Sequence, residues 1–168
     1  MDKIRASAIY REDVESILKQ NCDYTKFKNK TFLITGATGL IGTVLVDMLL
    51  LLNEKFSLNI RLFLVSRHEK NSEYSFVHYI SHDISSPLEI NAQIDYIIHA
   101  ASNTHPLQYS QFPIETITTN VFGTYNLLNL TCKNKNCRFL FVSSGEIYGD
   151  DVCNRKTGFL EDDKCFTT

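Results

Sequence analysis

Residues Thr31–Thr35 (TFLIT) form a short apolar run with β-branched ends, and it leads directly into Gly36-Ala-Thr-Gly39-Leu-Ile-Gly42. The chain from Leu40 to Leu52 is then apolar almost all the way round. A strand, three glycines at three-residue spacing and a helix with almost no polar face narrow the choice of folds sharply. Such a helix is buried on most sides, which suits packing against a sheet.

The rest of the chain repeats the alternation. Ile60–Val65, Phe76–Ile80, Tyr96–Ala100 and Arg138–Ser143 read as four further strands. Gln111–Cys132 is a long helical pattern with Pro113 in its first turn, where proline is tolerated. Residues 8–20 place Tyr10, Val14, Ile17 and Leu18 on one helical face. Strands apolar on both faces, alternating with helices, require a parallel sheet covered on both sides. The right-handed crossover rule then predicts an α/β fold with a doubly wound parallel sheet.

Composition agrees with one soluble domain: 168 residues, 43% hydrophobic and 21% charged. A net charge of −2, with basic residues scattered, gives no field for nucleic acid. The longest apolar stretch, Val44–Leu52, is interrupted by Asp47 and is too short to span a bilayer, so no membrane partner is expected. The first thirty residues are charged and lack a signal-peptide core, which places the chain in the cytoplasm. Cys22, Cys132, Cys137, Cys153 and Cys165 form no Cys-x-x-Cys pair, and no histidine falls at ligand spacing beside them. No metal site is expected, and the cysteines are assigned no chemistry.

Between a strand and a helix, the three glycines have separate uses. Gly36 permits the tight turn, Gly39 lets the backbone approach a pyrophosphate, and Gly42 lets the helix lie close to the strand. The positive end of the helix then faces the phosphates. Gly36, Thr38, Gly39, Leu40, Ile41 and Gly42 are therefore candidate dinucleotide-binding residues. The expected division is an N-terminal helical extension over 1–29 and an NAD(P)-binding domain over 30–168.

The G-x-x-G-x-x-G spacing resembles the short-chain dehydrogenase/reductase superfamily, whose core is a Rossmann fold. His99-Ala100-Ala101-Ser102 follows the fourth strand, where that superfamily presents backbone to the nicotinamide side of the cofactor. The resemblance thus implies Ala100, Ala101 and Ser102 as cofactor contacts. Asp83, after the third strand, matches the acid that touches the adenine ring. An NAD enzyme usually offers an acid at the end of the second strand, but Ser66-Arg67 stands here. Arg67 there either holds the 2′-phosphate of NADP or is an exposed strand-end residue. NAD is the expected cofactor, with NADP left open.

Two further segments resemble the extended branch of that superfamily, the NAD-dependent epimerases, dehydratases and decarboxylases of nucleotide sugars. Pro113–Leu128 is similar to the helix this branch lays beside its active site, with Thr119-Asn120 and Gly123-Thr124 in their family places. Asn120 is implied as a cofactor-side residue. Gly123 in mid-helix costs about 1 kcal/mol relative to alanine, so close packing is expected there. Ser143-Ser144-Gly145-Glu146-Ile147-Tyr148-Gly149 ends the fifth strand, and open α/β sheets bind ligands off the carboxyl ends of strands. The resemblance implies two catalytic residues. Ser144 would hydrogen-bond the sugar hydroxyl being oxidised, and Glu146 matches the acid of dehydratases and UDP-glucuronate decarboxylases. Dehydratases pair that acid with an aspartate where Gly145 stands here, so the decarboxylases are the nearer match and dTDP-glucose 4,6-dehydratases the second. A nucleotide-sugar substrate and a homodimer are implied for the intact enzyme.

The family's Tyr-x-x-x-Lys, expected a short loop beyond Gly149, does not occur before Thr168. Tyr24-Thr-Lys-Phe-Lys28 fits by letter but precedes the first strand, and is read as chance. The expectation is an N-terminal part, truncated before the last strands and the substrate domain, inactive alone and with an unpaired fifth strand. The alternative is a non-catalytic dinucleotide-binding module or a decayed remnant.

Overall fold

The computed structural model describes residues 5, 7–68, 70–102, 106–148 and 158–162, with 106, 108 and 146 described by their backbone alone. Its strands are β1 (Thr31–Thr35), β2 (Arg61–Ser66), β3 (Val77–Ser81), β4 (Tyr96–His99) and β5 (Arg138–Phe141). Every pairing is parallel, and the order across the sheet is β3-β2-β1-β4-β5. The helices are α1 (Ala8–Ile17), α2 (Leu40–Phe56), α3 (Pro106–Gln111) and α4 (Pro113–Lys133). This is the doubly wound Rossmann sheet that the sequence predicts.

Alternation along β1 shows how the two faces are built. Phe32 and Ile34 join Leu62 and Leu64 of β2 in a core that Val46, Leu49 and Leu52 of α2 close. Leu33 points the other way, into a core with Ile97 of β4 and Leu127 and Leu130 of α4. Period-two strands facing helices on both sides leave no polar face for water, which is why these strands read as continuous apolar runs.

Three departures from the sequence reading have local causes. The helix expected from Gln111 is two helices, because Pro113 keeps Phe112 out of the helical region (φ −131°, ψ 58°) and Pro113 itself starts α4. No helix joins β2 to β3 or β3 to β4 among the described residues. Instead the segment after β3 folds irregularly, and its Ile84, Leu88 and Ile94 are buried in the second core in place of a helix face. α2 runs on to Phe56 and stops where Ser57 turns left-handed (φ 48°).

The N-terminal segment is tied to this framework. Arg5 pairs with Asp47 of α2 at 2.6 Å, and the Tyr10 hydroxyl donates to the same carboxylate at 2.7 Å. Burial and that carboxylate push the Tyr10 phenol up to about 12. Tyr24 donates to the Ile17 carbonyl and stacks on Phe56, the last residue of α2. The Tyr24–Lys28 letter match therefore lies at the end of α2 opposite its glycine-rich start, serving as packing. No helix among the described residues is long and apolar enough to cross a membrane.

The connection β1–α2–β2 runs to one side of β1, while β4 lies on the other. The carboxyl ends of β1 and β4 thus flank the point where the strand order reverses, the natural crevice of an open α/β sheet.

Candidate functional site

Gly36 directly follows β1 with φ +70°, and a Cβ there would sit 2.5 Å from the carbonyl oxygen of Ala100, the residue just past β4. Both the turn and the close approach of the two strand ends require glycine. At Gly42, in the first turn of α2, a Cβ would overlap the Gly36 carbonyl oxygen and lie 2.8 Å from Ala37 Cα. Here glycine lets the helix rest on the turn that precedes it. Gly39 is different. Its backbone is ordinary extended (φ −76°, ψ 175°), and a Cβ would meet only the Gly36 oxygen at 3.3 Å. The fold presses far less on Gly39 than on the other two, since that oxygen would have to give by only a few tenths of an ångström.

Helix α2 begins at this loop with no side-chain cap and no acidic residue in its first turn. The first N–H groups of any helix lack intrahelical partners. Here the residues that carry them, Leu40, Ile41 and Gly42, line a cavity of about 460 Å³. Leu40 is 71% exposed and Ile41 53%. An uncapped helix start, with its partial positive charge, is a ready place for phosphate oxygens.

Around this cradle the cavity is lined by residues from every strand end but that of β5. Gly36, Thr38 and Gly39 come from the loop after β1, Arg67 from the segment after β2 and Asp83 from that after β3. Ala100, Ala101 and Ser102 come from the segment after β4. Eleven of the twelve expected cofactor residues are thereby brought together. The twelfth, Asn120, does not line the cavity but accepts a hydrogen bond from the Ser102 hydroxyl at 2.9 Å. Its neighbour Thr119 does line it, as do His68, Lys70 and His82, all three unanticipated in the sequence. Asp83 accepts from the backbone N–H and hydroxyl of Ser85 at 2.9 and 2.8 Å. Those bonds hold its carboxyl below the usual range. Gly123 has the packing its mid-helix position demands, since a Cβ would lie 2.8 Å from Ile84 Cδ1.

Ser144 is exposed beyond β5, where its carbonyl accepts from the Ile147 N–H at 3.3 Å, and it is not among the residues that line the cavity. Glu146 lies in the 3-10 turn Gly145–Tyr148, and its side chain falls outside the described residues. Among the described residues no cluster of His, Cys, Asp or Glu is placed to hold a metal ion. Cys22, Cys132 and Cys137 are free thiols, while Cys153 and Cys165 lie outside the described residues.

Beneath the β4 loop lies a pair that the sequence does not announce. His99 is only 1% exposed, and its Nδ1 shares a 2.8 Å hydrogen bond with the Thr35 hydroxyl across the β1–β4 ladder. The Ala101 N–H donates to the same Thr35 oxygen at 3.3 Å, so the pair underpins a cavity-lining residue. His99 Nε2 is buried and has no partner among the described residues. Burial holds the imidazole below its ordinary value of 6.5. The unfolded chain therefore takes up this proton before the folded one does. The stability is present above about pH 6.5 and is lost as pH falls toward the folded value. Replacing His99 by glutamine should flatten the fall in melting temperature between about pH 7.5 and 5.5. An unchanged slope would mean that other groups carry it.

A sequence model of the NAD dependent epimerase/dehydratase family matches residues 32–164. Among curated proteins, the chain is 35% identical over 133 residues to UDP-glucuronic acid decarboxylase 6 of Arabidopsis thaliana, covering 77% of this chain and 38% of that protein. It is 36% identical over 125 residues to UDP-glucuronic acid decarboxylase 1 of Danio rerio, covering 72% of this chain and 29% of that protein. The chain thus spans a little over a third, or less, of the length of these relatives. Among solved structures, MoeE5 in complex with UDP-glucose and NAD superposes with a TM-score of 0.62 at 24% identity, over 82% of this chain and 42% of MoeE5. Its likeness is one of fold. Matched over most of its length by the family model, this chain belongs to the NAD dependent epimerase/dehydratase family.

Proposed function

We propose that these 168 residues are the cofactor-binding part of an NAD(P)-dependent enzyme acting on a nucleotide sugar through a 4-keto intermediate. The observation that carries the dinucleotide reading is the uncapped start of α2 beside Gly39, a glycine the fold demands far less than Gly36 or Gly42. A Cβ there would fill the cradle rather than clash with the protein. Gly36, Thr38, Gly39 and the first turn of α2 would hold the pyrophosphate, with Ala100–Ser102 beneath the nicotinamide side. The nicotinamide, when bound, supplies the hydride acceptor.

UDP-glucuronate decarboxylation, a lyase reaction, is the preferred chemistry. It is supported by the named relatives and by Ser144-Gly145-Glu146 at the end of β5. Ser144 would hold the sugar hydroxyl, and Glu146 would serve as the acid beside it. The second reading, a dinucleotide-binding module or remnant without turnover, is favoured by the cavity's lining, which takes in most of the cofactor candidates but not Ser144. These 168 residues carry no Tyr-x-x-x-Lys beyond β5 to take the hydroxyl proton, and positioned acid–base help alone contributes about 10²–10⁴-fold. In the intact enzyme we assign a homodimer through the outer face of α4, where Ile114, Ile117, Val121, Tyr125 and Leu128 are exposed at helical spacing.

One preparation tests the set. The 168-residue chain is sized, titrated with NADH and NADPH, and assayed with UDP-glucuronate and dTDP-glucose plus either oxidised cofactor. Dinucleotide binding by an oligomer without turnover is the expected outcome. Released CO₂ or a keto sugar would refute the inactivity of this chain. A strict monomer would remove the α4 interface, and absence of cofactor binding would remove the function itself.

A further inference from the structure

The end of the cavity near β2 and β3 carries a charge pattern that a pyrophosphate cradle does not need. Arg67, His68 and Lys70 line it from one segment and His82 from the next, while Asp83 is the only carboxylate among the described lining residues. Arg67, His68 and Lys70 are exposed, so their polar ends are open to a ligand. Asp83 is engaged by Ser85 in shaping its own turn, and lies near enough to Arg67 and His82 for their charges to act on its carboxyl. Where an acid would read the ribose hydroxyls of NAD stands Ser66, whose own hydroxyl donates to the His68 carbonyl at 2.7 Å. Glu69, in the same segment, lies outside the described residues.

From this juxtaposition we infer that the cavity selects a dinucleotide phosphorylated on the 2′-hydroxyl of its adenosine ribose, with Arg67 pairing the phosphate and Lys70 and His68 adding positive charge. The inference rests on the dinucleotide reading of the same cavity and departs from the NAD preference in the family's description. A ribose diol needs an acceptor at this spot, and the described side chains offer mainly donors. A 2′-phosphate brings acceptor oxygens and negative charge, which a guanidinium meets with two parallel N–H bonds.

The test is a fluorescence titration of the 168-residue chain with NADPH and with NADH, repeated by competition with 2′,5′-ADP and 5′-AMP. Charge-assisted bonds of this kind are worth about tenfold or more in affinity. NADPH and 2′,5′-ADP should therefore bind at least about tenfold more tightly than NADH and 5′-AMP. In Arg67→Ala the NADPH affinity should fall toward the NADH level, with a much smaller change for NADH. Binding of NADH as tight as or tighter than NADPH would overturn the inference and leave the dinucleotide reading standing. So would a parallel loss of both cofactors in Arg67→Ala. A chain that is folded by its melting transition yet binds none of the four would overturn both.

Discussion

Gly42→Ala is expected to lower the melting temperature of the unliganded chain by about 10 °C, the equivalent of about 3 kcal/mol for a chain of this size. Helix propensity alone predicts the opposite sign, since alanine is favoured over glycine inside a helix by about 1 kcal/mol. The structure decides between them. The added methyl would overlap the Gly36 carbonyl oxygen and lie 2.8 Å from both Gly36 C and Ala37 Cα. These are backbone atoms, so no side chain can swing aside to make room. Relief requires lifting the first turn of α2 away from the end of β1. That movement disturbs a helix whose Val46, Leu49 and Leu52 are almost wholly buried against the sheet. Overpacking in such places costs about 1–3 kcal/mol and sometimes more. Thermal unfolding followed by circular dichroism measures the difference directly. A melting temperature equal to or above that of the parent would show that α2 does not sit on the glycine turn as described.

The framework around that turn was legible because strand, glycines and helix are adjacent in the chain. Thr31–Thr35, the loop from Gly36 to Gly42 and α2 follow from periodicity and from the conformations glycine alone permits. The features that escaped are made by contacts distant in sequence. His99 and Thr35 meet across two strands, 64 residues apart, and nothing local to either residue marks the bond. His68, Lys70 and His82 reach one rim only because β2 and β3 are parallel neighbours with their ends in register. α4 shows a further limit. Its Leu127 and Leu130 face the core, yet Ile117, Val121 and Tyr125 on the outside are as apolar. A pattern of apolar residues cannot tell a face buried within the chain from one left for a partner. Ser144 and Glu146 are proposed from resemblance alone, and the described cavity does not extend to Ser144.

Gly39→Val is expected to leave the fold nearly untouched and to weaken dinucleotide binding at least tenfold. Residue 39 has φ −76° and ψ 175°, a conformation that valine adopts readily. A Cβ there meets nothing but the Gly36 oxygen, at 3.3 Å. Replacing a glycine cap by an aliphatic residue costs about 1 kcal/mol, a few degrees in melting temperature for this chain. Binding is another matter. Gly39 lines the cavity and caps the helix whose first amides, without intrahelical partners, belong to residues that line the same cavity. A branched side chain there occupies the space the phosphates must enter and keeps their oxygens from the N–H groups of Leu40, Ile41 and Gly42. Loss of two or three such bonds to a charged group accounts for at least a tenfold drop in affinity. The pair of glycine variants therefore separates two roles that one motif conceals, with Gly42→Ala read in the melting curve and Gly39→Val in the NADH and NADPH titrations. Should Gly39→Val bind both cofactors as tightly as the parent, the start of α2 is not the phosphate site. Should it instead melt as early as Gly42→Ala, Gly39 is a folding residue, and the dinucleotide reading loses the observation on which it rests.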